Sequence, residues 1–270
     1  MPFTLIKGAF VPQAGRPDGD SLRFRPDTPD LIFRLRQRGR PPKINENNGT
    51  VQLRYEGIDT MESRALQPFS SDATRSNLAF CGVPDGEGTA RGHILANQLG
   101  PNGRPIAFVF PGDAPETDGT SVFLEVPRMK DSANFHQITQ GHAYPLFYDT
   151  LFFDLRNAFS DETKQARQKG QNVWSADVTN TGALWQGPGS EEAMQPLFPK
   201  LWRRLDSYGR DADIENPDSL GEFRAYLEFE KAERVFDLTQ GRATGFDNLV
   251  TVEEERVSMA TLPEELVFVS

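Results

Sequence analysis

"TVQLRYEGIDTMES", residues 50–63, is the stretch on which the reading of this chain turns. Its first nine residues, "TVQLRYEGI", have the apolar and polar alternation of a strand. Asp59 and Glu62 then stand three residues apart at a turn, with Thr60 between them, and Arg54 lies five residues before Asp59. Two acids on a turn are ordinary when solvated. An arginine on the strand that leads into them is what a phosphate site needs, because the planar guanidinium fork matches two phosphate oxygens.

The remaining composition limits the options. The chain has 270 residues, 37% hydrophobic and 25% charged, with 20 prolines, 23 glycines and 20 phenylalanines. That is a globular composition, turn-rich and with enough aromatic bulk for a β-rich core. One cysteine, Cys81, excludes an internal disulfide framework or a cysteine-based zinc site. His93, His136 and His142 lack metal-ligand spacing and read as ordinary histidines. "MPFTLIKGAF" has no basic segment before a long apolar run, so no signal peptide is expected and the reading is cytoplasmic. No apolar run approaches the roughly 18 residues of a membrane span.

The formal charge is −10, which argues against a polyanionic partner until its distribution is read. Residues 186–270 hold 18 acids and 9 bases, whereas residues 1–185 hold 21 acids and 20 bases. The acidity therefore belongs to the C-terminal third. Within the near-neutral part, "RLRQRGRPPK" (34–43) carries five bases and no acid, so Arg36, Arg38 and Arg40 are candidates to follow a nucleic-acid backbone.

Along the chain, "FTLIKGAFV", "DGDSLRFR", "DLIFRLRQRGRPP" and "TVQLRYEGI" read as strands, and "HILANQLG", "PNGRP" and "IAFVF" as a hairpin. "SSDATRSNLAF", "SANFHQITQG" and the polar "DETKQARQKG" read as helices, the first stopped at Cys81-Gly82 and the last at Gly170. This pattern predicts a β-rich α+β fold: a five-stranded OB-type barrel with about three packed helices, followed by a partly helical extension. The barrel is expected over 1–185, with insertions near 26–49 and 150–159, and an acidic extension over 186–270. In the extension, Ser219 to Glu222 predicts a capping box before a helix, "EELVFVS" a strand, and "LWRRL" a packed segment. The extension is also a candidate surface for a protein partner or self-association.

Upstream, "DGDS" (18–21) places Asp20 at a tight turn that opens a strand, and Arg104 sits in the turn "NGRP". Carboxylates with a backbone carbonyl suit a hard cation, and a further carboxylate is a candidate to take a proton from water. Each motif alone is weak, since Asp-Gly-Asp is a routine turn signal.

Their order is more specific. "DGDS", "RYEGIDTMES" (54–63), "GR" (103–104), "NFHQITQGHA", "VWS" (173–175) and "DVTNTG" (177–182) resemble, in sequence order over about residues 4–182, the staphylococcal nuclease (thermonuclease) family. The resemblance implies that Asp20, Asp59 and the Thr60 carbonyl are Ca2+ ligands. It implies that Arg54 and Arg104 bind the phosphate and stabilise the transition state, and that Glu62 is the general base. The implied activity is that of a calcium-dependent nuclease, a hydrolase cleaving DNA or RNA phosphodiester bonds to 3′-phosphate ends, with single strands preferred. Ser21 and Met61 depart from the family's Thr and Pro. Tyr144, Phe147 and Tyr148, in shifted positions, are the base-stacking candidates. The alternative is a catalytically silent barrel that binds nucleic acid or a protein. A nuclease in the cytoplasm is hazardous to its cell, so the enzyme reading carries a demand for restraint or for export by another route.

Overall fold

The computed structural model describes residues 2–37 and 39–270. The fold is α+β, with seven α-helices among the described residues and a nearly closed, barrel-like sheet. The chain divides into two compact units, Met1–Ile58 with Ser71–Thr139, and Asp59–Ser70 with Gln140–Ser270.

The first unit is built on one sheet. Its strands are β1 (Phe3–Phe10), β2 (Arg23–Pro26), β3 (Val51–Gln52), β4 (Arg54–Tyr55), β6 (Ala90–Leu99), β7 (Pro105–Pro111) and β8 (Ser121–Val122). The order is β3-β2-β1-β6-β7-β4, with β8 also on β1. Only Leu53 separates β3 from β4, yet they lie at opposite ends of that order. One run of chain, 51–55, thus pairs antiparallel with β2 through Gln52–Arg23 and parallel with β7 through Arg54–Ile106. Leaving few free edges protects a sheet from pairing with other chains.

Two glycines permit the curvature. Gly8 and Gly92 face each other across β1 and β6. A Cβ on Gly92 would lie 2.3 Å from the Phe10 ring, and one on Gly8 would lie 2.3 Å from the Arg25 carbonyl oxygen. The ring of Phe10 and the backbone of β2 occupy the space that side chains would need.

Helices of this unit are α1 (Asp30–Phe33), α2 (Phe69–Phe80), α3 (Val126–Met129) and α4 (Ala133–Thr139). The first two residues of α2, Phe69 and Ser70, belong to the other unit. Gly82, at φ +78°, follows α2 where a stop was expected. The strand expected in "DLIFRLRQRGRPP" is not formed among the described residues. Pro29 and Asp30 open the short helix α1 instead, and Arg36 makes only an isolated bridge to Gln98.

The division falls inside β5 (Ile58–Thr60), which pairs with β9 (Ala143–Pro145). The second unit continues with β10 (Phe147–Tyr148), α5 (Phe153–Gln168), β11 (Ala183–Leu184), α6 (Pro199–Gly209) and α7 (Phe223–Phe229). It ends with β12 (Arg234–Asp237), β13 (Arg242–Gly245), β14 (Val250–Glu253), β15 (Arg256–Met259) and β16 (Leu266–Phe268).

The compact units do not divide at 185/186. β10 pairs with β16 and β11 pairs with β15, so strands before that point need strands after it. One core joins Met61, Tyr144, Leu146 and Trp174 to Trp202, Phe223 and Phe268. Helix α5 is not the exposed helix expected from "DETKQARQKG". It begins within the expected insertion at 150–159 and buries Leu155, Phe159, Thr163 and Ala166. The capping box also fails: Ser219 Oγ accepts from Gly221 N, and Glu222 itself is the N-cap of α7.

Candidate active site

Of the expected catalytic and metal-binding residues, Asp20, Arg54 and Arg104 lie in the first unit. Asp20 follows the Asp18-Gly19 turn, where its amide donates to Asp18 Oδ1 at 3.1 Å. Buried amides hold this turn in place. Asn77 of α2 donates to the Asp18 carbonyl at 2.8 Å, and Gln137 of α4 donates to the Gly19 carbonyl at 2.7 Å. The Tyr55 amide donates to the Asp20 carbonyl at 2.9 Å, which ties the turn to β4. Arg54 Nη1 lies 3.9 Å from Asp20 Oδ2, so these two residues meet as an ion pair.

Arg104 stands two residues before Ile106, the register partner of Arg54. Arg104 itself lies in the turn that leads into β7, where its carbonyl accepts from Gly100 N at 2.8 Å. Asn134, singled out in "NFHQITQGHA", is buried and fixes this strand pair. Its Nδ2 donates to the carbonyls of Glu56 and Ala107 at 2.9 and 3.0 Å, and its Oδ1 accepts from Val109 N at 3.0 Å.

The basic segment is laid along the turn that carries Arg104. Leu99 N donates to the Arg36 carbonyl at 2.8 Å, and Arg40 N donates to the Pro101 carbonyl at 3.0 Å. Gly103, at φ +75°, is required there, since its Cβ would fall 2.2 Å from the Pro41 carbonyl oxygen. The side chains of Arg36 and Arg40 are exposed, and Arg38 lies outside the described residues. Between the segment and the turn is a cavity of about 540 Å3, lined among others by Arg23, Lys43, Asn45, Gln52, Asn102 and Arg104. Sequence spacing gave no sign of it, because it forms where the 26–49 segment meets the 101–104 turn.

Asp59, Thr60 and Glu62 belong to the second unit. Asp59 and Glu62 are brought together by a residue that the motif pattern did not mark, Arg203 of α6. Its Nη2 donates to Asp59 Oδ2 at 2.6 Å, and its Nη1 donates to Asp59 Oδ1 at 3.1 Å and to Glu62 Oε1 at 2.8 Å. The Asp59 side chain is 2% exposed, Glu62 36% and Arg203 32%. Burial alone would lower the guanidinium's pKa, but Asp59 and then Glu62 outweigh it and hold the pKa above its ordinary range. Thr60 is buried in β5.

This arrangement bears on the implied calcium. Both Asp59 oxygens and one Glu62 oxygen accept from a guanidinium, so the positions a hard cation would take are served by a side-chain cation. Among the described residues no group of three or more His, Cys, Asp or Glu gathers as a metal cluster. As placed, these residues do not fit a bound calcium ion.

The aromatic candidates need correction. Tyr144 and Phe147 are fully buried. Tyr144 donates from its hydroxyl to Asp177 at 2.8 Å and packs edge-on against Trp174, and Phe147 lies against Phe159. Neither offers a face to a base. Tyr148 is half-buried, and its hydroxyl accepts from Lys200 at 3.3 Å. In the first unit Phe33, 51% exposed and directly before Arg34, is an aromatic beside the basic segment that pattern reading passed over.

No protein-family model and no curated protein sequence matches the chain. No helix among the described residues is long and apolar enough to cross a membrane.

Proposed function

We propose that the chain is a phosphodiester-binding barrel of the nuclease type, with hydrolysis of DNA or RNA as its activity. The observation that carries this reading is the cationic face of the first unit. There Arg54, paired with Asp20, lies in register with Ile106, two residues after Arg104, and Arg104 borders the cavity lined by Arg23 and Lys43. Arginine forks suit the non-bridging oxygens of a phosphodiester. The exposed Arg36 and Arg40 extend positive charge along the backbone of a bound strand, and Phe33 is a surface on which an unpaired base stacks. If 51–55 is counted as one strand and the two-residue β8 is set aside, five strands remain in the sheet of the first unit, the number that the OB-type reading asks for.

In this reading Arg54 and Arg104 neutralise the phosphate, and Glu62 is the carboxylate that accepts a proton from the attacking water. Asp20, Asp59 and Thr60 remain the residues to which the resemblance gives calcium. No step is assigned to the ion, since Arg203 holds Asp59 and Glu62. That same contact favours a second reading, a barrel that binds nucleic acid without cleaving it.

Cleavage and binding separate the two. Single-stranded DNA and RNA are incubated with the chain in calcium and in chelator, and affinity is followed by fluorescence anisotropy. The enzyme reading expects calcium-dependent cleavage that falls by about a hundredfold in Arg54→Lys and in Arg104→Lys. Binding that weakens in those variants, with no cleavage by the wild type in either condition, selects the silent module. Absence of both binding and cleavage sinks the proposal.

A further inference from the structure

Asp59 and Glu62 are the two acids that the proposed function needs unoccupied, and the chain already serves both with a cation of its own. Arg203 makes three N–H···O contacts to them, two of which form a fork on Asp59. The fork is held from behind. Helix α6 buries Leu201, Trp202 and Leu205 on either side of Arg203 in the sequence, which fixes the backbone that carries it. A second arginine runs the opposite way. Arg64, two residues after Glu62, donates to Asp206 of α6 and to Glu192, each at 2.8 Å, and stands over the Trp202 ring at 5.5 Å. Residues 59–64 are therefore fastened to α6 by arginines from both sides.

We infer that Arg203 is the resident counter-ion of the Asp59–Glu62 pair and competes with divalent metal cations for it. The inference rests on the proposed reading of Asp59 as a cation ligand. An arginine cannot lose its charge within the range of protein pH. It also repels a divalent ion placed on the same carboxylate, and burial of Asp59 limits screening of that repulsion by salt. For a metal to bind, Arg203 has to rotate away, and its partly exposed side chain has solvent to turn into. The structure thus supplies a form of the restraint that the sequence reading demanded of a cytoplasmic nuclease.

The test is calcium titration of the full chain by calorimetry, with thermal unfolding in calcium and in chelator. Wild type, Arg203→Met and Arg203→Lys are compared. The wild-type Tm is expected to be indifferent to calcium. Arg203→Met is expected to have a lower Tm in chelator, to regain it in calcium, and to bind calcium at least about tenfold more tightly than wild type. Adding Asp59→Asn to Arg203→Met is expected to abolish that gain. Arg203→Lys keeps a charge without the fork, so its calcium affinity should lie between the two. Calcium affinity that is the same in wild type and Arg203→Met overturns the inference. If Arg203→Met folds in neither condition, Arg203→Lys decides, and an affinity equal to wild type overturns it. The nuclease assay on the same samples keeps the two readings apart. An Arg203→Met chain that gains calcium but cleaves nothing leaves the competition standing and removes the enzyme reading. A wild type that cleaves with calcium, at an affinity equal to that of Arg203→Met, removes the competition and leaves the enzyme reading.

Discussion

Arg64 and Asp206 form a 2.8 Å ion pair one helical turn along α6 from Arg203, in the opposite donor direction to the Arg203–Asp59 pair. Hydrogen bonds donated to Glu192 and then to Asp206 hold the Arg64 guanidinium above its ordinary pKa. The Arg64 side chain is 42% exposed, so solvent weakens both pairs. Arg64→Ala is expected to cost about 1 kcal/mol, from two partly exposed pairs and the Trp202 ring contact. The loss should be local. Hydrogen exchange is expected to quicken at 59–65 and to stay unchanged in the β1–β6 ladder, and quickening in both would mean that the clamp supports the whole fold.

Gly92 is predicted to be intolerant of any side chain. A Cβ there meets the Phe10 ring at 2.3 Å and the Phe110 carbonyl oxygen at 2.9 Å. Gly92→Ala should lose about 1–3 kcal/mol in urea unfolding. Gly100→Ala, where the nearest atoms lie at 3.6 Å, should stay within about 0.5 kcal/mol of wild type. Equal losses at the two positions would contradict the close approach of β1 and β6.

His136 gives a prediction with a definite sign. Burial lowers its pKa below 6.5, and its Nε2 lies 2.9 Å from Ser76 Oγ. As pH falls through 6.5 the unfolded chain takes a proton that the folded chain resists. The stability contributed by neutral His136 is therefore complete above 6.5 and is lost as pH falls through the lower folded-state value. His136→Gln should flatten the stability–pH curve between pH 7.5 and 5.5, measured by urea unfolding at intervals. His93, also lowered by burial, keeps part of the slope in that variant.

Removing residues 186–270 should destroy the second unit. β10 loses β16, β11 loses β15, and Tyr144 and Trp174 lose the aromatic wall that includes Phe198. The truncated chain is expected to aggregate on size exclusion and to lose near-UV circular dichroism from its remaining tryptophans. A soluble product with an intact aromatic signal would restore a boundary at 185/186.

What could be read in the residues followed local rules. Alternation in "FTLIKGAF", the "PNGRP" turn and the Gly82 stop each act over a few positions, and β1, the β6–β7 hairpin and α2 appear where they were expected. "DLIFRLRQ" misled because alternation over so short a run does not distinguish a strand from a helical turn opened by proline. α5 misled because the apolar face that it buries starts upstream of the polar stretch that marked it. Asp20 and Arg54 were each legible as site candidates from the motifs around them, but their ion pair was not, since the motif order set Asp20 beside Asp59 and Arg54 beside Arg104. Arg203 was not, because 144 residues separate it from Asp59 and "LWRRL" does not say which of its arginines faces an acid. Tyr144 was misassigned because a phenol reads the same in a cleft as in a core, and only the neighbouring Trp174 and Asp177 decide which it is.

That separation of 144 residues also sets an order of events during synthesis. A ribosome adding about 5–20 residues per second needs roughly 7–29 seconds to pass from Asp59 to Arg203. Over that interval the strands of the first unit emerge complete, through β7 and α4, while the second unit has neither α6 nor the strands that close its sheets. The nascent chain therefore carries the Asp59–Glu62 pair without its arginine, and the two acids are matched to their cation only after α6 has been made.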